Sequence, residues 1–313
     1  MKRLIIVRLA WTFAILLGVS FIAFILMRAL PGDFVLAAAG TTSVSAEALD
    51  GMRAELGLDR PVLEQYLVWL GNALQGDFGA SFVTRAPVLQ ELAPRFFVTL
   101  QLSLVAIVMA LLIGGVTGLA SARLRGRVDW LVRAINGVSL AVPNFVIATL
   151  IVLLAGLYFP QLVVFGYTPF AVDPLKSFGN LLLPGLALGL AVSVTISENT
   201  RAAVLEVSNQ DFVMVARAKG LKRSTVLFQY MLRNAATPII TVAGLQVATL
   251  LGGSILVETI FAIPGMGQYL FDSITRRDYP VIQAIVLVAA GVVVLINMLV
   301  DIAYIRADAR VRL

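Results

Sequence analysis

Long apolar stretches, separated by shorter polar segments, run through most of the chain. A helix needs about 20 mostly apolar residues to cross a bilayer, and six stretches reach that length. They lie at about residues 9–30, 98–121, 132–158, 180–198, 238–258 and 281–304. The pattern therefore predicts an all-α, polytopic membrane protein with six transmembrane helices, forming a single membrane domain over residues 1–313.

The first apolar stretch follows a basic start, as the core of a signal peptide does. Lys2, Arg3 and Arg8 precede it, and the alanines at 37–39 resemble a cleavage site. The run from Leu9 to Met27 is nevertheless longer than the roughly 7–15 apolar residues of a signal peptide. We therefore expect a first helix that is retained in the membrane.

Basic residues predict the orientation, because cytoplasmic loops carry an excess of Lys and Arg. If the N-terminus is in the cytoplasm, most basic residues fall in the N-terminal segment, in the loops that follow the second and fourth spans, and in the C-terminal segment. Many acidic residues fall in the external segment at 31–97. Six spans then place both termini in the cytoplasm. We attribute the net charge of +6 to the basic residues of these cytoplasmic segments, and we expect no nucleic-acid partner.

Small residues recur every four positions in three of the spans, so that they share one helix face. The stripes are Ala110, Gly114, Gly118 and Ala122; Gly185, Gly189, Ser193 and Ser197; and Gly244, Ala248 and Gly252. Close helix packing in lipid is one explanation, and a pore lining is the other. Pro143, inside the third span, predicts a kink.

Composition excludes several kinds of chemistry. The chain is 59% hydrophobic and only 13% charged, and it contains no Cys and no His. These numbers argue against a cytosolic enzyme, a thiol nucleophile and an imidazole base. No Walker A motif appears, so nucleotide binding by this chain is not expected. We therefore predict no catalytic residue, no metal ligand and no cofactor.

Charged residues are scarce in the predicted spans. Those present lie near predicted span ends, where we expect their side chains to reach toward the interface: Arg28, Arg133, Glu198, Glu258 and Asp301. An ion-coupled carrier that works alone usually keeps ionisable groups at mid-depth, which disfavours that alternative. A membrane scaffold without transport is a third hypothesis.

The polar segment at 199–237 has helical character and is long for an intracellular loop. A first short helix is expected around residues 202–209, and Asp211 is expected to cap a second. Gly220 suits a left-handed residue after that helix. One face of the second helix would carry Phe212, Val215, Ala216 and Lys219. Such a helix, apolar on one face and basic at its rim, could dock into a groove or lie on anionic lipid.

Several motifs resemble those of bacterial ABC-importer permeases, specifically the first permease of the dipeptide, oligopeptide and nickel branch. The ARAKGL sequence at 216–221 and LRNAATP at 232–238 resemble that family's cytoplasmic coupling loop. Further matches are LPGD at 30–33, LGLDRP at 56–61, GDFG at 76–79, PGMG at 264–267 and RDYP at 277–280. Tyr230 departs from the family, which commonly has His at this point.

The resemblance implies a type I ABC-importer permease fold and a set of partners. The coupling loop would insert into a cytoplasmic ABC ATPase through Asp211, Ala216, Arg217, Ala218, Lys219, Gly220, Leu221, Arg233 and Asn234. Two ATPases, a second homologous permease and an external substrate-binding protein would complete the importer in the bacterial inner membrane. Its cargo would be a peptide or a similar small solute, such as a nickel chelate or glutathione.

Two external segments are candidates for functional surfaces. Residues 31–97 are too long for a turn, and we expect short helices at 47–56 and 62–74. This segment would receive the binding protein or act as a structural cap. The loop at 258–280 is a candidate gate of the pathway, through Pro264, Gly265, Gly267 and Asp278, although for Asp278 we expect instead an ion pair with Arg276 or Arg277.

Overall fold

The computed structural model describes residues 2–29, 47, 51, 59–124 and 126–307, with side chains described between residues 10 and 300 of those ranges. Within them we name eleven helices: α1 (Lys2–Ala29), α2 (Val62–Leu74), α3 (Val88–Leu124), α4 (Arg127–Ala141), α5 (Asn144–Tyr158), α6 (Pro174–Ser208), α7 (Asp211–Ala218), α8 (Arg223–Gly253), α9 (Ile255–Phe261), α10 (Met266–Arg276) and α11 (Tyr279–Ala307). The described ranges hold no β-strand, only an isolated bridge between Ala80 and Pro87. The predicted all-α class is confirmed.

Five of these helices, α1, α3, α6, α8 and α11, are long and apolar enough to cross a membrane. A sixth crossing exists if α4 and α5 together form one broken span. The polytopic membrane protein predicted from the sequence is confirmed with five to six spans. The LPGD motif at 30–33, most of the helix expected at 47–56 and the C-terminal residues 308–313 lie outside the described residues.

The third predicted span is broken rather than kinked. The axes of α4 and α5 differ by 101° across Val142 and Pro143. Pro143 has no N–H to donate, and its ring forces the preceding Val142 into an extended conformation with φ −95° and ψ 118°. Each helix has 15 residues, or about 22 Å of rise, which is too short to cross the bilayer alone.

Two predicted boundaries of the polar segment at 199–237 are wrong. The short helix expected around 202–209 does not exist separately, because α6 continues without interruption to Ser208. The fifth span does not begin near residue 238, because α8 starts at Arg223 and contains Pro238 in its interior. Residues Val226–Leu232 of α8 are π-helical, a rare geometry that widens the helix locally.

The chain forms two compact units. The first comprises residues 1–98 and 264–294. In it, Tyr66 of α2 donates or accepts a hydrogen bond with Ser20 of α1 at 2.8 Å, and Phe24 meets the Tyr66 ring edge-on. The helix predicted at 62–74 is confirmed as α2, which follows Pro61 directly. A second apolar cluster joins the start of α3 to α10 and α11 through Leu92, Met266 and Ile285.

The second unit comprises residues 99–263 and 295–313. Its small-residue stripes on α3 and α6 face each other: a Cβ at Gly114 would collide with the Ser193 carbonyl oxygen, and one at Gly118 with that of Ser197. Backbones this close leave no room for a side chain. The packing explanation of these two stripes is therefore confirmed.

Several charged side chains in the second unit have polar partners within it. Asp129 accepts hydrogen bonds from Ser121 of α3 and from Arg201 Nε of α6, the latter at 2.8 Å, and it forms an ion pair with Arg133. Glu198 accepts from Asn136 Nδ2 at 2.7 Å. Arg133 and Glu198, which the sequence places near span ends, each have a polar partner on or across the packed helices.

Replacing Gly118 with alanine tests the packing of α3 on α6. We expect Gly118→Ala to lower the free energy of unfolding by about 1–3 kcal/mol, because the new methyl group collides with backbone atoms that cannot rotate away. Gly115→Ala is the matched control on the same helix, since nothing lies within 4 Å of its added Cβ. The measurement is unfolding of each variant in mixed micelles. Equal stability of the two variants would contradict this packing.

Candidate functional site

The predicted coupling loop forms a short helix held between two membrane-crossing helices. Only Asn209 and Gln210 connect α6 to α7, and residues 219–222 connect α7 to α8. Short connections at both ends restrict how far α7 can move independently of α6 and α8. The eight residues of α7 are therefore positioned by both spans rather than by a long flexible loop.

One face of α7 is buried in the second unit. Val213 and Ala216, which are separated by one helical turn, are 0% and 3% exposed. They belong to an apolar cluster with Val204 of α6 and with Leu227 and Met231 of α8. This cluster connects the short helix to the ends of two spans through side-chain packing.

The other apolar residues of α7 are exposed. Phe212, Met214 and Val215 are 41%, 55% and 51% exposed. Phe212, Val215 and Ala216 share a side of the helix, as their spacing predicts, but they differ in burial. Ala216 packs with Val213 between α6 and α8, whereas Phe212 and Val215 lie beyond the edge of this contact.

The end of α7 is a Schellman motif. The Gly220 N–H donates to the Arg217 carbonyl at 2.9 Å, and the Leu221 N–H donates to the Ala216 carbonyl at 3.4 Å. Gly220 has φ +72°, the left-handed conformation that the sequence predicts for it. The motif satisfies carbonyl groups that a helix end would otherwise leave without donors, and it fixes the direction of the chain toward α8.

Asp211 is not the capping residue expected from the sequence. It is the first residue of α7, Gln210 occupies the cap position, and no side chain caps the helix by a hydrogen bond. The carboxylate of Asp211 still lies in the first turn, where a negative charge suits the helix dipole. Its side chain is exposed, as are those of Arg217, Ala218 and Lys219.

The structure brings residues 211–221 together and separates Arg233 and Asn234 from them. Both lie on α8 beyond its π-helical segment, with exposed side chains. Asn234 Nδ2 donates to the Tyr230 carbonyl at 2.6 Å, which covers an acceptor inside that irregular stretch. Both residues therefore lie inside α8, the helix that leads from this segment into the fifth predicted span.

The segment expected to form an outer gate is a helix rather than an open loop. Ala262 and Arg277 both adopt left-handed conformations, with φ 52° and 56°, at the ends of α9 and α10. Between them Pro264 and Gly265 lead into α10, and Gly265 and Gly267 are buried. Within the first unit, Met266 and Tyr269 anchor α10 against α3 and α11.

Tyr269 connects α10 to α3 by a polar contact as well. Its hydroxyl donates to Glu91 Oε2 at 2.6 Å, and the Arg95 guanidinium lies 4.2 Å from the centre of its ring. Burial, reinforced by the hydrogen bond to Glu91, raises the pKa of the Tyr269 phenol above its usual range. The phenol therefore remains a hydrogen-bond donor at physiological pH.

Asp278 is a buried anchor and not a surface ion-pair partner. Its carboxylate accepts hydrogen bonds from Ser81 Oγ and from the Phe82 N–H, the latter at 3.0 Å. The pairing expected with Arg276 or Arg277 is wrong, because the sharp turn at Arg277 directs Asp278 into the first unit. The contact joins the α10–α11 corner to the turn at residues 79–87, where the Ser81 N–H donates to the Ala86 carbonyl.

Sequence reasoning missed the burial of Glu258 in the second unit. Its side chain is 0% exposed and accepts hydrogen bonds from Thr99 Oγ1 at 2.8 Å and Ser254 Oγ at 2.9 Å. The expectation of a side chain reaching the interface is therefore wrong. A carboxylate inside a long apolar stretch was the available signal, since such groups are rarely retained without a partner.

Within the described ranges, no three acidic residues cluster as a metal site would require.

Two family profiles match the chain. "Binding-protein-dependent transport system inner membrane component" matches residues 110–313, and the N-terminal membrane component of the same systems matches residues 1–103. The chain is 36% identical over 336 residues to the dipeptide transport system permease protein DppB of Escherichia coli K12, covering 100% of this chain and 99% of DppB.

Other comparisons agree. The probable peptide ABC transporter permease protein y4tP of Sinorhizobium fredii is 37% identical over 306 residues, or 97% of each chain. The crystal structure of an amino acid ABC transporter with histidines aligns with a TM-score of 0.50 at 17% identity, covering 68% of this chain and 92% of the other, which supports the fold. The resemblance to ABC-importer permeases of the peptide and nickel branch is confirmed. The chain belongs to the family of inner membrane components of binding-protein-dependent transport systems, and it is a multi-pass permease subunit of an ABC transporter of bacteria.

Proposed function

We propose that this chain forms half of the translocation pathway of a peptide importer, with a second, non-identical permease forming the other half. The observation that carries the coupling role is the two-faced helix α7, buried through Val213 and Ala216 and exposed through Phe212, Met214 and Val215. A peptide cargo is supported by the names of the relatives, which include a dipeptide permease. Nickel chelates and glutathione are related alternatives for the cargo.

The proposed orientation places α7 and both termini in the cytoplasm. Arg217, Lys219, Lys222 and Arg223 give the connection around α7 a strongly basic character, as the positive-inside rule requires. The segment before α3 then lies outside, and we propose that it receives an external substrate-binding protein. Lipid surrounds the remaining exposed apolar surface of the spans.

Coupling follows from the packing around α7. A cytoplasmic ATPase binds the exposed apolar face and the basic rim, from Asp211 to Leu221. Because Val213 and Ala216 pack against α6 and α8, displacement of α7 by the ATPase moves the ends of both spans. Arg233 and Asn234, on α8, transmit the same displacement into the membrane. Closing of two ATPases on ATP would then favour the outward-facing state by shifting the population of conformations.

ATP hydrolysis is proposed to occur on the separate ATPase subunits, with this chain making no covalent bond. An ion-coupled carrier that acts alone is disfavoured, because the relatives of this chain are named as components of ABC systems. On the outer side, Pro264, Gly265, Gly267 and Asp278 are proposed to form a gate. Anchoring by Asp278 and Tyr269 would hold this segment as one body when the pathway opens.

Disrupting the rim of α7 tests the coupling proposal. We expect Gly220→Glu, and separately Arg217→Glu combined with Lys219→Glu, to reduce co-purification of the ATPases at least about tenfold. The first change places a side chain at φ +72°, and the second reverses the rim charge. The measurement is mass spectrometry of proteins captured with the tagged chain from its native host.

Two controls accompany this experiment. Arg127→Glu reverses a basic residue at the start of α4, away from α7, and should capture normal amounts of ATPase. Gly220→Asn should also be tolerated, because Asn adopts the left-handed conformation and nothing lies within 4 Å of the added Cβ. Wild-type ATPase capture by the rim variants, with unchanged melting temperatures, would contradict the docking role of α7.

Removing the carboxylate of Asp278 tests the anchor of the proposed gate. We expect Asp278→Ala to lower the stability of the protein by about 1–3 kcal/mol, because the Phe82 N–H and the Ser81 hydroxyl lose their buried acceptor. Peptide uptake should fall in the same variant. The measurements are thermal unfolding in detergent and uptake of labelled dipeptide by cells.

Asp272 provides the matched control, since it lies on α10 and is exposed. Asp272→Ala should leave both stability and uptake near wild-type values. If Asp278→Ala destabilises the protein but uptake per folded molecule is unchanged, the anchor is purely structural and the gate proposal fails.

A further inference from the structure

We propose that a cleft beside α7 binds the phosphate headgroup of an anionic phospholipid. The cleft encloses about 650 Å³ in the second unit. Arg123 at the end of α3, Arg217 on α7 and Arg223 at the start of α8 line it, so three separate elements each contribute a guanidinium. No carboxylate lies among its lining residues.

The three guanidinium groups lack acidic partners among the residues that the structure describes. Arg133 and Arg201 of the same unit, in contrast, both contact Asp129. Acidic residues do occur on the neighbouring elements, at Glu206 and Asp211, but neither lines the cleft. Three convergent, uncompensated positive charges favour a ligand that carries negative charge and several acceptor oxygens, as a phosphate does.

Apolar side chains and Ser208 form the rest of the cleft. Among the apolar lining residues, Leu205 of α6 is half-buried and Leu221 is 37% exposed, so both present apolar surface to a ligand. An inorganic phosphate would contact the arginines but would gain nothing from these surfaces. An amphiphile satisfies both, because its phosphate lies against the guanidiniums while its glycerol and acyl carbons contact the apolar wall.

The surroundings of the cleft suit a lipid. The membrane-crossing helices α3 and α6 both end at it, and exposed apolar residues follow lining residues in sequence: Leu124 after Arg123 and Phe228 after Leu227. Basic pockets at the cytoplasmic ends of membrane helices are typical sites for anionic headgroups. Placing the cleft in the cytoplasmic leaflet rests on the proposed function, whereas the match of charge and apolar surface does not.

A lipid in this cleft would act on the coupling region. Its wall includes Val226, Leu227 and Met231 of the π-helical segment, and π-helical turns are frequent at functional sites. A phosphate bound by Arg123, Arg217 and Arg223 would link α3, α7 and α8 across the cleft. The headgroup would thereby hold α7 in the position from which it transmits motion to the spans.

Native mass spectrometry of the intact complex, captured from its host with the tagged chain, tests this site. The probes are dioctanoyl phosphatidylglycerol, dioctanoyl phosphatidylcholine and sodium phosphate. We expect phosphatidylglycerol to bind at least about tenfold more tightly than phosphatidylcholine, and Arg123→Gln combined with Arg223→Gln to weaken it about tenfold. Arg217 is left unchanged because it belongs to the proposed ATPase contact.

Arg127→Gln combined with Lys222→Gln is the matched control. It removes the same two charges from neighbouring positions that do not line the cleft, and it should bind phosphatidylglycerol as the wild type does. Arg123→Lys with Arg223→Lys should retain most of the binding if charge is the main contribution. Recovery of the ATPases in the same samples separates a failure of the proposed function from a failure of this site.

Three outcomes would overturn the site. They are unchanged phosphatidylglycerol binding in the Arg123 and Arg223 variant, an equal loss in the matched control, or equal affinity for phosphatidylcholine. Displacement of the lipid by sodium phosphate at a similar concentration would also overturn it, because the cleft would then be a site for a free anion.

Discussion

The burial of Val213 and Ala216 against α6 and α8 is the contact on which the proposed coupling depends. Without it, α7 would be a short helix connected to the membrane only by its flanking turns, and eight residues alone form no stable helix in water. With this contact, α7 packs along one face against the ends of two spans. The Schellman motif at Gly220 adds a fixed exit direction, so that a force applied to the exposed face reaches the membrane.

The lipid environment explains where the polar groups of this protein lie. In hydrocarbon an unpaired polar group is costly, and two carboxylates of the second unit accept hydrogen bonds from other segments of the chain. Asp129 contacts Ser121 and Arg201, and Glu258 contacts Thr99 and Ser254. The three arginines around the cleft beside α7 have no acidic partner among the described residues, and the proposed anionic lipid would balance their charge.

Polar contacts between distant parts of the sequence also occur in the first unit. Asp278 uses its carboxylate to hold a turn that is nearly 200 residues distant in sequence, and Tyr269 reaches Glu91 in a similar way. Both contacts fix α10 and the left-handed Arg277 that ends it. The proposed outer gate therefore includes a helix that two polar contacts hold in place, whereas a Pro-Gly-x-Gly turn ordinarily indicates a loop.

Sequence alone determined the helical class, the approximate spans, α2, the small-residue spacing of Gly114 and Gly118, the left-handed Gly220 and the family, because apolar length, four-residue spacing and local motifs are properties of neighbouring residues. Tertiary structure decided the packing of the Gly114 and Gly118 stripe against α6, the 101° break at Pro143, the burial of Ala216, and the partners of Asp278 and Glu258. Each of these depends on which distant residue lies opposite, and that information is absent from local spacing. The cleft beside α7 belongs to the same class, since its three arginines meet only when α3, α7 and α8 are packed together.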